Sequence, residues 1–457
     1  MYKIVLATRY LIKRHITYFA VLAVALCVFI VLVVMTVLTG LVHDFKLKNH
    51  QFTGDCVIGT ETLVGFTYYE DFSKILEQAN FIESVSAVIK SYALVSPSWA
   101  ENGLGLEIMG IDPVRHSKTT NFGETLYYHK GDTSEAFKPV FDPNLIGCVL
   151  GVEVGNRLGN ALAPQRGTRG GYFYSDRFDE TSVSVSCIPL TAKGAPAKAD
   201  LGLINTQNFY YSDYSNSGLA RVDGSVIYIP FDQAQWLCGM DGPLKRANAI
   251  HIKFKPDVSL QAGCKKVALL WEKFKQEKAD KEQAYLLDTV TVQSWKEYRR
   301  EHIAAMEKEQ TMMIVLFALV GITTVFIVLV VFYMLISHKS KDIGILKSIG
   351  ASNRDIIQLF LGFAFTVGLI GSATGSFAGW LFLRKINQIE QWLFEHFGFQ
   401  LWDRTIYAIG DIPNQVEFAV LAVIILSAVC ACLVGALIPS RQAARLNPVE
   451  ILQVSQL

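Results

Sequence analysis

The sequence predicts an α-helical membrane protein with four transmembrane helices and a large exported α+β domain, with two subdomains, inserted between helices 1 and 2. Four windows contain no Asp, Glu, Lys or Arg, and each exceeds the ~20 residues that cross a bilayer as a helix. These windows are 16–42, 312–336, 356–383 and 418–440. Between the first two windows, short strand and helix patterns alternate with turn residues, which is typical of a folded α+β domain.

Basic residues give the orientation of the four helices. They precede the first window, lie between the second and third, and follow the fourth: Lys3, Arg9, Lys13, Arg14, Lys339, Lys341, Lys347, Arg354, Arg441 and Arg445. Short loops rich in Lys and Arg stay in the cytoplasm. We therefore expect a multi-pass protein of the cytoplasmic (inner) membrane with both termini in the cytoplasm.

These patterns divide the chain into ten segments. We predict a cytoplasmic amphipathic lead-in (1–15), transmembrane helix 1 (16–42), the exported α+β domain (43–293), a stalk helix (294–311), transmembrane helix 2 (312–336), a cytoplasmic coupling helix (337–355), transmembrane helix 3 (356–383), a short exported loop (384–417), transmembrane helix 4 (418–440) and a cytoplasmic tail (441–457).

The predicted stalk begins with a capping box. Ser294 and Glu297 have the S-x-x-E spacing that satisfies the free N–H groups of a helix start. No proline follows before Ser337, so one helix of roughly 65 Å is expected at ~1.5 Å per residue. About half of it must stand outside a hydrocarbon core of about 30 Å. We interpret it as a stalk that carries force, with Trp295, Tyr298, His302 and Ala305 on its outer part.

A short amphipathic segment lies between the second and third windows. Lysines alternate there with aliphatic residues, Gly350 offers a helix stop, and Ser352 with Asp355 forms a second capping box. Composition alone leaves two interpretations open. The segment is either a solvated, positively charged loop or a contact surface for another protein.

The residues favour the second interpretation. The string KSKDIGILKSIGAS resembles the coupling-helix signature of FtsX-like permeases of the MacB superfamily of ABC transporters. In that family this helix lies in a groove of a separate ATPase subunit. The resemblance implies that the ATPase-coupling residues are Lys341, Asp342, Ile343, Gly344, Ile345, Leu346, Ile349 and Gly350.

Further matches extend the resemblance over most of the chain. The G-I-D-P turn at 110–113 and the strand-then-helix segment at 146–159 are similar to parts of the family's exported domain. The tail pattern is similar too, here Pro439, Ala443, Ala444, Pro448, Glu450 and Leu452. The stalk pattern W-x-E…A-x-E-K-E-x-x-M most resembles the lipoprotein-releasing permeases of the LolC/LolE type. Neither a fused ATPase nor the small exported domain of cell-division FtsX proteins matches this chain.

The resemblance implies a permease subunit that transmits ATP hydrolysis by a separate ATPase to the exported domain (mechanotransmission), and so extracts or releases a lipoprotein or another lipophilic or peptide cargo. The chain itself is then no enzyme and binds no cofactor, because ATP and Mg²⁺ are used by the partner. Expected partners are two ATPase copies, a second permease, identical or paralogous, and the lipid membrane. An alternative is an FtsX-like regulator that activates a periplasmic or cell-wall hydrolase, or acts as a sensor.

The rest of the sequence agrees with a mechanical role. It contains no GxxxxGK[ST], HExxH, GxSxG or SxxK motif, and its histidines do not pair at metal-ligand spacing. A net charge of +1 gives no reason to expect nucleic-acid binding. In the third window Gly371, Gly375 and Gly379 recur every fourth residue, which favours close helix packing in a bilayer.

Two features of the predicted exported domain remain open at this stage. Residues 160–218 are rich in Gly, Ser, Asp and Tyr and are interpreted as an insertion, either an ordinary surface elaboration or an adhesive tyrosine surface. Five cysteines fall in the domain: Cys56, Cys148, Cys187, Cys238 and Cys264. One or two disulfides are allowed in an exported location, but buried thiols are the simpler interpretation.

Overall fold

The structure is a computed structural model, and it describes residues 15–98, 103–160, 163–167, 172–174, 181–197, 204–338, 340–399 and 411–445. Of the predicted amphipathic lead-in (1–15), only His15 is among the described residues. Of the predicted tail (441–457), only the stretch up to Arg445 is described. The chain forms two compact units, a sheet unit over His43–Ala304 and a helical unit built from the described residues on either side of it.

Among the residues that the structure describes, four helices are long and apolar enough to cross a membrane, as predicted. They are α1 (His15–Thr53), α10 (Arg300–His338), α12 (Asn353–Phe397) and α13 (Phe418–Arg445). In chain order the sheet unit lies between α1 and α10, so the predicted combination of four apolar helices with a mixed domain is confirmed. The short helix α11 (Ser340–Ser348) connects α10 to α12.

The helix bounds differ from the predicted windows. Helix α1 continues through the polar residues 43–53, and α12 continues to Phe397, so residues 384–397 are helical instead of a loop. The windows were defined by the absence of charge, whereas a helix ends only where its hydrogen bonds stop. Gly398, with φ +63°, ends α12 in the left-handed conformation.

The expected uninterrupted helix from Trp295 is also wrong in one place. A single turn, α9 (Trp295–Tyr298), is separated from α10 by Arg299, which has φ −99° and ψ 15°. The Ser294 side chain accepts from the Glu297 N–H, and Glu297 accepts from the Ser294 N–H, so the predicted capping box is present. At this break the Arg299 side chain is directed into the sheet unit, where it contacts Asn49 and Phe52.

The sheet unit is built on one mixed sheet of nine strands. Its strands and the two small ribbons are β1 (Cys56–Gly59), β2 (Phe66–Thr67), β3 (Ile82–Pro97), β4 (Leu104–Ile111), β5 (Gly147–Gly151), β6 (Gln165–Arg166), β7 (Tyr172–Phe173), β8 (Ser182–Cys187), β9 (Asn205–Ser215), β10 (Val226–Pro230), β11 (Arg246–Ala247), β12 (Ala249–Phe254) and β13 (Thr291–Ser294). The order is β13-β1-β12-β3-β4-β10-β5-β9-β8. The pairs β4–β10 and β5–β9 are parallel, and the other pairs are antiparallel.

Helices cover the sheet at several points. They are α2 (Tyr69–Glu77), α3 (Pro113–Thr119), α4 (Phe122–Thr125), α5 (Val154–Arg157), α6 (Ala220–Ser225), α7 (Phe231–Leu237) and α8 (Leu260–Glu277). The predicted G-I-D-P turn is the end of β4 followed by the start of α3. Asp112 caps α3 by accepting from the N–H groups of Val114 and Arg115, and Pro113 occupies the first helical position.

Six of the nine strands close into a ring. Besides its pairing with β4 and β12, the end of β3 pairs with β8, from Leu94↔Ser186 to Pro97↔Val183. The ring therefore runs β3-β4-β10-β5-β9-β8 and back to β3. Closure removes the exposed edge that β8 would otherwise present.

The ring shows that the interpretation of residues 160–218 as a surface insertion was wrong for β8 and β9, which come from this segment and complete the ring. Phe209, Tyr211 and Tyr214 are buried in the ring's core, so these aromatic rings are not an adhesive surface. Phe209 and Tyr211 are two residues apart and lie on the same face of β9. An irregularity in the pairing of β9 with β5, at Ser212, brings Tyr214 to that face as well.

Three hydrophobic cores lie along this continuous sheet among the described residues. One fills the ring, the second packs α2 and α8 against β1 and β12 around Phe72 and Trp271, and the third lies around Met109 and Tyr228 beside α4 and α6. No break in the sheet divides them, because β3 contributes residues to all three, so the predicted division into two subdomains stays a prediction.

We predict that Phe209→Ala destabilises the chain by about 3–5 kcal/mol, because it empties a fully buried ring position. Phe173→Ala is the matched control from the same tyrosine-rich segment, since Phe173 is 73% exposed. Urea unfolding of the full-length chain in detergent, followed by tryptophan fluorescence, measures both. Equal midpoints for the two variants would contradict the ring assignment.

Candidate functional site

The predicted coupling residues lie on and just after α11. Ile345 is 50% exposed and Ile349 is 80% exposed, while Leu346 is half-buried. Gly350 follows with φ +103°, a conformation that favours glycine, and ends this segment. Ser352 and Asp355 then form the predicted capping box, with the Asp355 N–H donating to Ser352 Oγ and the Ser352 N–H donating to Asp355.

Ile343 and Gly344 do not lie on the exposed face. The Ile343 side chain is 2% exposed, and Gly344 is also buried within the helical unit. The expectation that all four aliphatic residues project outward was therefore wrong. On a helix, residues two apart point in different directions, so Ile343 packs inward when Ile345 faces out. The side chain of Lys341 lies outside the described residues.

The coupling segment is also tied to α13. Lys347 Nζ donates to the carbonyl oxygen of Ala444 at 2.7 Å. This carbonyl is in the last turn of α13, where backbone oxygens lack helical partners and favour a cation. With Ile343 buried, this bond holds the coupling segment to the helical unit. Exposed aliphatic side chains and anchoring contacts thus occupy two sides of one short helix.

The three glycines of α12 face α1. A Cβ atom on Gly371 would lie 2.9 Å from Val24 Cβ, and one on Gly379 would lie 2.9 Å from Leu32 Cδ2. At Gly375 it would meet the Ala25 backbone, 3.0 Å from its Cα. Such distances leave no room for a side chain, so this glycine face is used within the chain, where close helix approach supplies packing energy.

We predict that Gly375→Leu separates α12 from α1 and lowers stability by about 1–3 kcal/mol through overpacking. Gly362→Leu on the same helix is the control, because a Cβ atom there meets nothing within 4 Å. Thermal unfolding of both variants in detergent is the measurement. A wild-type midpoint for Gly375→Leu, or an equal loss in Gly362→Leu, would refute the packing role.

The predicted stalk residues are used at the base of the sheet unit. Trp295 is buried, and its ring stacks on His50 with ring centroids 4.7 Å apart. The backbone N–H of Trp295 donates to the Asp55 carbonyl. Tyr298 accepts a hydrogen bond from Lys90 Nζ, which also lies 4.7 Å from its ring centroid. Ala305 is on the exposed side of α10, so it is not part of this group.

Arg299 joins the base to the end of α1. Its Nε donates to Asn49 Oδ1 at 2.8 Å, and its guanidinium lies 5.0 Å from the centroid of the Phe52 ring. Burial lowers the pKa of Arg299 from its ordinary value. Sequence reasoning missed Arg299, Asn49 and Lys90, because partners about 200 residues apart leave no local pattern.

A cavity of about 560 Å³ opens beside these residues. Charged and polar side chains line it, among them Lys90, Glu107, Arg221, Arg299, Arg300 and His302. Arg221 donates to His302 Nε2 at 3.0 Å, so His302 is neutral with its other ring nitrogen protonated. Burial, with Arg299 and Arg221, lowers the pKa of His302. Apolar and aromatic side chains, among them Phe52, Tyr92 and Val222, line the rest of the cavity.

Two further histidines lie inside the sheet unit. His116 and His251 are fully buried with ring centroids 5.6 Å apart, and Ser86 Oγ lies 3.2 Å from His116 Nδ1. Burial, assisted by Lys90, lowers the pKa of His116 to about 3. Burial and the charges of Lys90 and Arg299 also hold the pKa of His251 well below its usual range. Both rings are therefore neutral at neutral pH.

We predict that acidification destabilises the sheet unit through these rings. A base whose folded pKa is depressed binds more protons when unfolded, so stability falls as pH drops below about 6.5. At pH 5 the loss is on the order of 1–2 kcal/mol per buried histidine. His251→Phe removes one such ring, so its midpoint should fall less between pH 7.5 and pH 5.

The control is His43→Phe, since His43 is exposed. The melting temperatures of the wild type and both variants are compared at the two pH values. An unchanged pH dependence in His251→Phe, or the same change in His43→Phe, would contradict the assignment.

Known proteins were compared with the chain over these regions. Residues 314–448 match the family model for the C-terminal part of FtsX-like permeases. The match is to the permease family. It contains most of α10, the coupling segment, α12 and all of α13, and it confirms over this part the resemblance carried by the coupling and tail motifs. Among the residues the structure describes, no group of three or more metal-ligating side chains is close enough to hold a metal ion.

The curated relatives are similar over part of their length. The lipoprotein-releasing system transmembrane protein LolC of Xylella fastidiosa is 26% identical over 162 residues, covering 35% of this chain and 39% of the relative. LolC of Neisseria meningitidis is 26% identical, covering 36% and 40%. LolE of Haemophilus influenzae is 24% identical, covering 26% and 29%. The chain thus matches about two fifths or less of these relatives.

Solved structures are similar at low identity. The periplasmic region of MacB from Actinobacillus actinomycetemcomitans has 11% identity and a TM-score of 0.32, covering 56% of this chain and 97% of that one. The extracellular domain of the ABC-type transporter YknZ from Gram-positive bacteria has 10% identity and a TM-score of 0.30, covering 53% and 98%. The strand order of the sheet unit follows from its own strand pairing and not from these similarities.

Proposed function

We propose that this chain is the permease subunit of an ATP-driven ABC transporter that releases lipoproteins or a related lipophilic cargo. The observation that carries the proposal is the family match over 314–448, which includes a short helix with two exposed isoleucines. In this proposal residues 43–311 lie outside the membrane and α11 lies in the cytoplasm, since the basic flanks favour that orientation.

The exposed side of α11 supports binding to a protein. Ile345 and Ile349 are aliphatic side chains in contact with water, and burying each in a partner's groove contributes ~1.5–3 kcal/mol. Lys347 and buried Ile343 hold the same helix to the helical unit. A displacement of α11 by the partner is therefore passed to α13 and to the helices packed on it.

The base of the sheet unit supports transmission at the other end. Two residues separate the end of α1 from the start of β1. Strand β13 ends directly before α9, and α10 follows α9. Strands β1 and β13 pair with each other, from Cys56↔Ser294 to Gly59↔Thr291. Both helices that leave the membrane are thus connected to neighbouring strands of one sheet, so their movement becomes movement of the sheet unit.

The partners follow from this mechanism. The chain would contribute one coupling helix, and nucleotide sites of ABC ATPases form between two subunits. We therefore propose two ATPase copies, which use ATP and Mg²⁺, and a second permease, identical or paralogous. The relatives named LolC and LolE support a lipoprotein as the cargo.

We predict that Ile345→Glu releases the ATPase, because it places a carboxylate in an apolar contact and adds a desolvation cost of several kcal/mol. Affinity-tagged full-length chain is extracted from its native membranes, and ATP hydrolysis is measured in the eluate. Activity that co-purifies should fall at least about tenfold, since 1.4 kcal/mol corresponds to a factor of ten.

Leu269→Glu is the matched control, because Leu269 is 71% exposed on α8 of the sheet unit and the chemical change is the same. It should leave the co-purifying ATPase at the wild-type level. Wild-type ATPase recovery with Ile345→Glu, in a chain that still inserts and melts normally, would overturn the assigned contact.

A further inference from the structure

Four of the five cysteines in the sheet unit lie in two close pairs. The first pair joins β1 to α8. The thiols of Cys56 and Cys264 are hydrogen bonded to each other, and both belong to the core between the sheet and α8. Gly263 brings this end of α8 close to the sheet, because a Cβ atom there would lie 2.5 Å from the Phe254 ring of β12.

The second pair joins the end of β8 to the end of α7. The thiols of Cys187 and Cys238 are also hydrogen bonded. Backbone contacts fix the two segments independently of the sulfur atoms. The Leu190 N–H donates to the Cys238 carbonyl at 3.0 Å. Asn205 pairs with Cys187 across the two strands, and its side-chain Nδ2 donates to the Trp236 carbonyl at 3.0 Å. Both cysteines are buried in the ring core.

We propose that Cys56–Cys264 and Cys187–Cys238 are two sites of disulfide formation in this chain. The proposal rests on the exported placement of the sheet unit in the proposed function, since disulfides persist in oxidising compartments. In each pair both cysteines belong to the same core of the folded unit. The folded unit is therefore compatible with both bonds.

The oxidant is the disulfide of a thiol–disulfide oxidase. Cys264 is half-buried, and the hydrogen bond from Cys56 lowers its pKa, so it is the attacking thiolate. It forms a mixed disulfide with the oxidase and releases one oxidase thiolate. Cys56 loses its proton and attacks the Cys264 sulfur, which forms the Cys56–Cys264 bond and releases the second oxidase thiolate. Two electrons and two protons pass from the cysteines to the reduced oxidase.

The second pair reacts by the same exchange. Cys187 and Cys238 are 2% and 3% exposed, so their exchange takes place while the unit folds, before the ring closes over them. The product would link β8, the strand that closes the ring, to α7. The first disulfide would link β1, the strand that follows α1, to α8. The first bond therefore fixes a strand on which the proposed transmission depends, and the second fixes the strand that closes the ring.

The test is peptide mapping of the full-length chain from native membranes. Free thiols are blocked with iodoacetamide in denaturant before proteolysis, and non-reduced digests are searched for linked peptides. We expect one linked peptide containing Cys56 and Cys264 and another containing Cys187 and Cys238, both lost after reduction. Carbamidomethylation of all four residues before reduction would overturn the proposal, and so would any other pairing among them.

Variants give a second measurement. Cys264→Ser should abolish only the first linked peptide, leave the Cys187–Cys238 peptide intact, and lower the melting midpoint on the order of 5–15 °C. The control Cys430→Ser changes a cysteine in α13 and should leave both peptides and the midpoint unchanged. If Cys264→Ser left the first peptide in place, the pairing would be wrong.

External labelling of Asn216→Cys in intact cells separates this inference from the proposed function. Labelled Asn216→Cys with four carbamidomethylated cysteines would refute the disulfides and leave the exported placement standing. Unlabelled Asn216→Cys, together with an externally labelled Ser340→Cys, would refute the proposed orientation and with it the compartment that the disulfides need.

Discussion

The pairing of β1 with β13 connects the two helices that enter the sheet unit. Helix α1 leads into β1, and β13 leads into α9, so four residue pairs in antiparallel register connect the chain on its way in with the chain on its way out. All four residues of β1 are buried, so both faces of this strand are packed and its position is fixed from two sides. The contact between Arg299 and Asn49 adds a bond between the end of α1 and the start of α10. The ends of the two helices are therefore held to each other as well as to the sheet.

The contacts around this junction explain why charged and polar side chains are found there. Arg299 is held by an amide oxygen and an aromatic ring, and His302 accepts from Arg221 in its neutral form. Leaving one partner of a buried charged group unpaired is far more costly than the pair is worth. A junction of this kind adds little net stability, but it penalises every arrangement in which the partners separate. Such a penalty favours a single geometry.

Local signals in the sequence predicted the parts of the structure that depend on neighbours along the chain. The four apolar windows and the capping boxes at Ser294 and Ser352 all depend on residues within a few positions. Ring closure between β3 and β8 and the partners of Arg299 join residues far apart, so no pattern in the sequence marks them. Ile343 was misjudged for a related reason: an aliphatic residue on a short amphipathic helix can serve either face, and only packing decides which.

The break at Arg299 is a feature that local rules opposed, because the capping box at Ser294 starts a helix and no proline or glycine stands at the break. Between Arg300 and His338 the helix then continues for 39 residues. A helix continued through Arg299 would direct this side chain along a helix surface. The turn instead brings its guanidinium to Asn49 on α1. The chain thus exchanges one stretch of helical backbone for a hydrogen bond between the end of α1 and the start of α10, the two helices that in the proposed function carry movement to β1 and β13.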